Sequence, residues 1–213
     1  MKMILLVVAV TLLAVAPSAF ATATYTDEAA FLGKIAPVFY LEDFSGWTPG
    51  NPIPNQTGPI TDADFGPNYG YSWHAHTSEG SLYSNTSALS TAFSDDSSIM
   101  ITFTGAPITA VGGIFSFTNP NEDVANYDIT VALNDGTAIV ANGSSFIGFT
   151  SDVPLTSILF TTANTPELDW PQLDHFYVGS ASTTSPVSSV PEPSTFVLLA
   201  AGISGLALLR TRK

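Results

Sequence analysis

The chain has 213 residues, no cysteine, and 18 acidic against 5 basic residues, for a net charge of −13. The missing thiols exclude disulfides, thiolate catalysis and cysteine-based metal sites. The acidity excludes nucleic acid and anionic lipid as partners, because affinity for either depends on Lys and Arg neutralising phosphates.

The N-terminus reads as an address. Lys2 supplies a positive start, residues 4–16 are apolar, and Ala19-Phe20-Ala21 is a small-x-small cleavage site, with Ala21-Thr22-Ala23 as a second option. The apolar run is too short for a comfortable membrane span. A secretory signal peptide over residues 1–21 is predicted. The body that follows keeps a single cation, Lys34.

Residues 22–179 suit one domain. Their abundant Thr, Ser, Gly and Asn, set among regularly placed Ile, Val and Phe, predict an all-β fold. Disorder is excluded by 14 Phe and 3 Trp. Residues 25–32 predict a short helix with Thr26 at its cap, ended by Pro37, and residues 38–44 a first strand. Residues 46–68 carry five prolines and read as irregular. In a strand over residues 69–76, Tyr69, Tyr71 and Trp73 would share one face, and His74 and His76 the other. Residues 80–91 lead toward a stronger strand.

From Ile99 onward the alternation is plain. Ile99, Ile101 and Phe103 predict one inward row, Val111, Gly113, Phe115 and Phe117 a second, and Tyr127, Ile129, Val131 and Leu133 a third. Asn134-Asp135-Gly136 offers a tight hairpin turn, with residues 137–141 returning. Residues 146–150, 155–162 and 175–178 supply further strands, and residues 164–171 a loop. Seven to nine strands with turns every eight to twelve residues predict an antiparallel two-sheet β-sandwich, jelly-roll-like, although an immunoglobulin-like order has the same pattern. Residues 180–189, small and polar with Pro186, read as a flexible linker.

The last segment, residues 190–213, is tripartite. Val190, Pro191, Glu192 and Pro193 form a stiff break, because two prolines fix φ and remove two donors. Residues 196–209 carry no charge, and Arg210, Arg212 and Lys213 close the chain. A helix over those apolar residues rises about 21 Å against a hydrocarbon layer of roughly 30 Å. It predicts a short transmembrane helix with its basic end in the cytoplasm. This order resembles the PEP-CTERM sorting domain of Gram-negative bacteria. The resemblance implies recognition by a membrane protease-transpeptidase, the exosortase, and cutting near the Pro-Glu-Pro motif. The body would then pass from the inner membrane to the cell surface or extracellular matrix. The segment running from Ile101 through Gly105-Ala106-Pro107 to Gly112-Gly113, the Leu133-to-Thr137 hairpin, residues 146–151 with 154–157, and Leu173-Asp174-His175-Phe176-Tyr177-Val178-Gly179 also resemble the bodies of many PEP-CTERM proteins. Those bodies imply a β-sandwich and no particular ligand.

Catalytic signatures are missing: there is no Gly-x-Ser-x-Gly, no His-Glu-x-x-His and no phosphate loop. A glycosidase pair would need two carboxyls facing across about 5–9 Å, and nothing in the sequence pairs them, so no enzyme and no catalytic residue is expected. His74-x-His76 would place two imidazoles on one strand face, where polar residues on a wet face are the commoner case. Calcium, which takes oxygen ligands, suits this exported acidic chain better. Candidate clusters are Glu42 with Asp43, Asp62 with Asp64, Glu122 with Asp123 and Asp169 with Asp174; Glu42, Asp43 and Asp174 would share an ion if first and last strands adjoin. Trp47, Tyr69, Tyr71, Trp73 and Trp170 are the carbohydrate-binding candidates, weighed behind core packing. The expected function is adhesion or exopolysaccharide association by a non-catalytic body. The alternatives are an exported glycan-active hydrolase and a purely structural matrix protein.

Overall fold

Alternating side chains from residue 99 onward build two facing sheets. The computed structural model describes residues 21–45, 62–77, 81–85, 88–92, 98–119, 121, 123–161 and 170–182. The expected signal peptide, most of the linker and the transmembrane helix lie outside these residues. Among those described, no helix is long and apolar enough to cross a membrane.

The described elements are β1 (Thr22–Tyr25), α1 (Glu28–Leu32), β2 (Ile35–Glu42), β3 (Asp62–Asn68), β4 (Tyr71–His76), β5 (Ser81–Asn85), β6 (Ala88–Ala92) and β7 (Ser98–Gly105). There follow β8 (Ala110–Thr118), β9 (Asp128–Leu133), β10 (Ala138–Asn142), β11 (Ser145–Ser151), β12 (Ser157–Thr161) and β13 (Trp170–Ala181). One sheet has the order β1-β11-β8-β13-β6-β5, with β2 also paired to β13; the other has the order β10-β9-β12-β7-β4-β3. All the pairings are antiparallel. The hairpins β3–β4, β5–β6 and β9–β10 stay within a sheet, and every other connection from β2 onward crosses to the opposite one. The expected all-β, two-sheet architecture is therefore present. Phe20–Thr184 forms one compact unit.

The core lies between the sheets. The predicted inward rows are buried there: Ile99 and Ile101, then Val111, Phe115 and Phe117, then Ile129, Val131 and Leu133. Phe160 of β12 meets Phe115 and Phe117 of β8 edge-to-face, at 5.1 and 5.2 Å between centroids. Each fully buried side chain of this kind contributes about 1.5–3 kcal/mol. The Asp135-Gly136 turn forms as expected: Gly136 takes φ 89°, which costs a glycine little. Asp135 Oδ1 accepts the Thr137 N–H at 2.8 Å.

A second, smaller core lies on the other face of the β1-containing sheet. Gly148 and Gly112 are cross-strand partners flanked in register by Tyr25 and Tyr177, and the fully buried Phe31 of α1 rests on them. A Cβ at Gly148 would stand 2.7 Å from the Phe31 ring, and one at Gly112 3.2 Å from it. Tyr25, Phe146 and Tyr177 surround the ring at 5.5–6.0 Å. The Tyr177 hydroxyl donates to Glu28 in the first turn of α1, tying helix to sheet.

Five expectations are corrected. Residues 62–68, at the end of the stretch read as irregular, form β3 and pair with β4. Among the described residues there are thirteen strands rather than seven to nine. The helix begins at Glu28 with Asp27 as its cap, whose carboxylate accepts the Ala30 N–H at 2.7 Å; Tyr25 belongs to β1. Pro37 lies inside β2 and does not precede it, because the pairing of β2 with β13 shifts register there and a bulge tolerates a residue without a donor. The last strand begins at Trp170. It pairs with β8 along one edge and, on the other, first with β6 and then with β2. Between those two partners it bulges, with His175 at φ 46°.

Candidate functional site

The β3–β4 hairpin, paired with β7, brings Asp62, Asp64, Tyr71, Trp73, His74 and His76 onto one sheet. Along β4 the burial alternates: Tyr71, Trp73 and Ala75 are buried, while Ser72, His74 and His76 are half-buried on the outer face. Register sets Ser72 opposite Thr104, His74 opposite Thr102 and His76 opposite Met100 of β7. On the other side Asp64 stands opposite His74, and Asp62 opposite His76. Ser72 Oγ and Thr104 Oγ1 are 2.9 Å apart and hydrogen-bonded. His74 Nδ1 lies 2.9 Å from Asp64 Oδ1. A carboxylate only accepts, so Nδ1 carries the proton and Nε2 is left as the free lone pair. This strip of short hydroxyls and imidazoles can exchange hydrogen bonds and ligate a cation.

The aromatic candidates do not form one platform. Trp73 is 1% exposed and Tyr71 8%, so both face the core. Trp73 stacks on Phe65 at 3.8 Å and meets Phe176 edge-to-face at 5.0 Å. Tyr69 precedes β4 in a turn at φ 52° and is 69% exposed, so it does not share their face. Trp170 is half-buried at the start of β13, whereas the Tyr71 hydroxyl reaches Ser180 near that strand's far end. Ten residues of strand separate those two ends, roughly 30 Å. Trp47 lies outside the described residues.

The carboxylates proposed for calcium take local partners. Glu42 accepts the Tyr40 hydroxyl at 2.5 Å and the Phe44 N–H at 3.1 Å. Burial, reinforced by this bond, pushes the Tyr40 hydroxyl well above its ordinary range. Asp43 accepts the backbone N–H of Ser45 at 3.0 Å and its hydroxyl at 2.7 Å. These bonds, with His175 nearby, hold its carboxyl below the usual range. Asp174 Oδ1 accepts from the His175 backbone N–H at 2.6 Å and faces His175 Nδ1 at 2.9 Å. β2, the strand that carries Glu42, does adjoin the last strand as required, Glu42 pairing with Phe176. Among the described residues, however, no three His, Asp or Glu side chains converge on a metal-sized space. Glu42, Asp43 and Asp174 therefore do not make the expected cluster, because each is turned to a donor of its own. Glu122 and Asp169 lie outside the described residues.

Sequence reading missed the Asp64–His74 pair. The signal was there: Asp-x-Asp and His-x-His stand at mirror-image spacing about Tyr69, so one antiparallel hairpin couples them.

Fold and surface together define an all-β protein of two antiparallel sheets whose body is acidic. The chain carries a PEP-CTERM protein-sorting motif: residues 189–213 match the model of that family, and they include Val190, Pro191, Glu192, Pro193, Arg210, Arg212 and Lys213. The motif implies export, exosortase processing and a transient membrane anchor. No curated protein and no solved structure matches the chain.

Proposed function

We propose that this is a non-catalytic protein of the cell surface or extracellular matrix, whose sandwich serves adhesion by associating with exopolysaccharide. The observation that carries this reading is the outward strip of half-buried Ser72, His74, His76 and Thr102 with exposed Thr104 across β4 and β7. A regular strand face of hydroxyls and imidazoles offers alternating donors and acceptors to a chain of sugar hydroxyls. The charge balance favours a neutral polymer over an acidic one, since Lys34 is the only cation between residues 22 and 189.

Glycan-array binding of the exported, processed protein, with calcium and with chelator, tests the proposal. Binding to neutral polysaccharide that Ser72→Ala with Thr104→Ala weakens supports it, and loss of binding in chelator would add calcium as a structural ion. No binding in either condition overturns the polysaccharide reading and leaves a purely structural role in the matrix.

A further inference from the structure

The geometry points to a copper site on the outer face of the β3–β4–β7 region, and we propose that His74 and His76 chelate one copper ion there with Met100 as a soft neighbour. The site stands whether or not the sheet binds a polymer. His74 and His76 are two apart on β4, so both imidazoles leave the same face. Their ring centroids are 6.5 Å apart, with planes 32° from parallel. Two imidazoles that share one ion, each with nitrogen at about 2.0–2.1 Å from it, have centroids roughly 5–6.5 Å apart depending on the angle at the metal. The observed 6.5 Å is at the upper end of that range, so rotation of the imidazoles toward a common point closes the chelate.

One ligand is already oriented. Asp64 accepts the Nδ1 proton of His74 at 2.9 Å, which orients the ring and leaves Nε2 as the donor to an ion. A carboxylate behind a ligating imidazole does the same in established metal sites. Asp64 is 92% exposed and His74 32% exposed, so an ion can arrive from solvent. Asp62 occupies the register position opposite His76, as Asp64 does opposite His74.

The third neighbour selects the metal. Met100 stands opposite His76 across the β4–β7 ladder and is half-buried on the same face. Cross-strand partners have Cβ atoms about 4.5–5.5 Å apart, within reach of a flexible thioether. Thioether sulfur is a soft donor that suits copper, above all its reduced ion, and imidazole pairs bind the oxidised ion at the top of the divalent affinity order. Zinc gains little from the sulfur, and calcium nothing from either donor. Water completes the coordination.

The test is titration of the exported, processed protein with Cu2+, followed by electron paramagnetic resonance, and with Cu+ by chelator competition; Zn2+ is the comparison ion. One Cu2+ per chain is expected, with nitrogen hyperfine structure, and tighter than Zn2+. His74→Gln and His76→Gln each abolish it, and His175→Gln leaves it unchanged. Asp64→Asn weakens Cu2+ binding about 10–100-fold, while Met100→Leu weakens Cu+ more than Cu2+. None of these positions is in the buried core, and circular dichroism of each variant checks that the fold is retained. Stoichiometric binding that survives both histidine variants, or no binding at micromolar Cu2+, overturns the site. Zn2+ binding as tight as Cu2+ overturns the choice of copper.

Discussion

Two tyrosine hydroxyls are each held by a carboxylate. Tyr40 donates to Glu42, and Tyr177 to Glu28. Burial first, and the acceptor carboxylate second, raise both phenols well above their ordinary pKa. A raised folded-state pKa favours the protonated form, so the stability it brings is fully present below about pH 10, the unfolded value, and is lost as pH climbs toward the folded one. Denaturant melts from pH 8 to 11.5 are expected to show a fall above pH 10. Tyr40→Phe and Tyr177→Phe should each cost about 1–2 kcal/mol at neutral pH through the lost bond and flatten that fall. An alkaline fall as steep in the double variant as in the parent would refute the account. Asp135 behaves oppositely. The Thr137 N–H, with the Thr22 hydroxyl in support, lowers its pKa, so its contribution holds above about pH 4 and disappears as pH drops further. Asp135→Asn should therefore reduce the steepness of acid unfolding measured by circular dichroism between pH 5 and 2.

At the scale of elements, α1 matters through one ring. Five residues cannot hold a helix alone; Phe31 seated on Gly112 and Gly148 holds it. Phe31→Ala should cost about 3–5 kcal/mol, and Gly148→Ala about 1–3 kcal/mol by pushing the ring off its seat. The two are coupled: once Phe31 is Ala, adding Gly148→Ala should cost almost nothing, and additive losses in chemical denaturation would disprove the packing. Such a seat was not legible beforehand, because a glycine pair signals close approach only when its partner across space is known. What was legible was alternation: the Ile129, Val131, Leu133 row, the Asp135-Gly136 turn and the opposition of His74 to Trp73. The alternation divides a strand into two faces without saying which is core, so by itself it does not decide between core and sugar platform for Tyr71 and Trp73. β2 and β13 were clipped for a different reason. Each contains a proline and takes part in a ladder that shifts register, and both features break the period-two signal in sequence. The Asp64–His74 pair depended on hairpin register, and a stretch containing Pro59 and Pro67 concealed the strand that supplies Asp64.

For the whole molecule, the delivery signal and the body make separate demands on one chain. The described ladders close within the body: β13 ends at Ala181, and the Ser182 N–H reaches the Lys34 carbonyl at 2.6 Å. The matched motif begins at residue 189, after the last described strand. Removing it should therefore change destination and leave folding alone. A chain ending at Thr184 is expected to melt within about 1–2 °C of the processed full-length protein, a difference below that of a 1 kcal/mol change in a domain of this size. The same truncation, expressed in the native host, should no longer be retained at the surface. Pro191→Ala with Pro193→Ala should leave the uncut tail on the exported chain, seen as added mass in the intact protein. A truncated body that melts many degrees lower would mean that the tail is part of the fold. Normal surface retention without residues 189–213 would mean that the motif is not what delivers this protein.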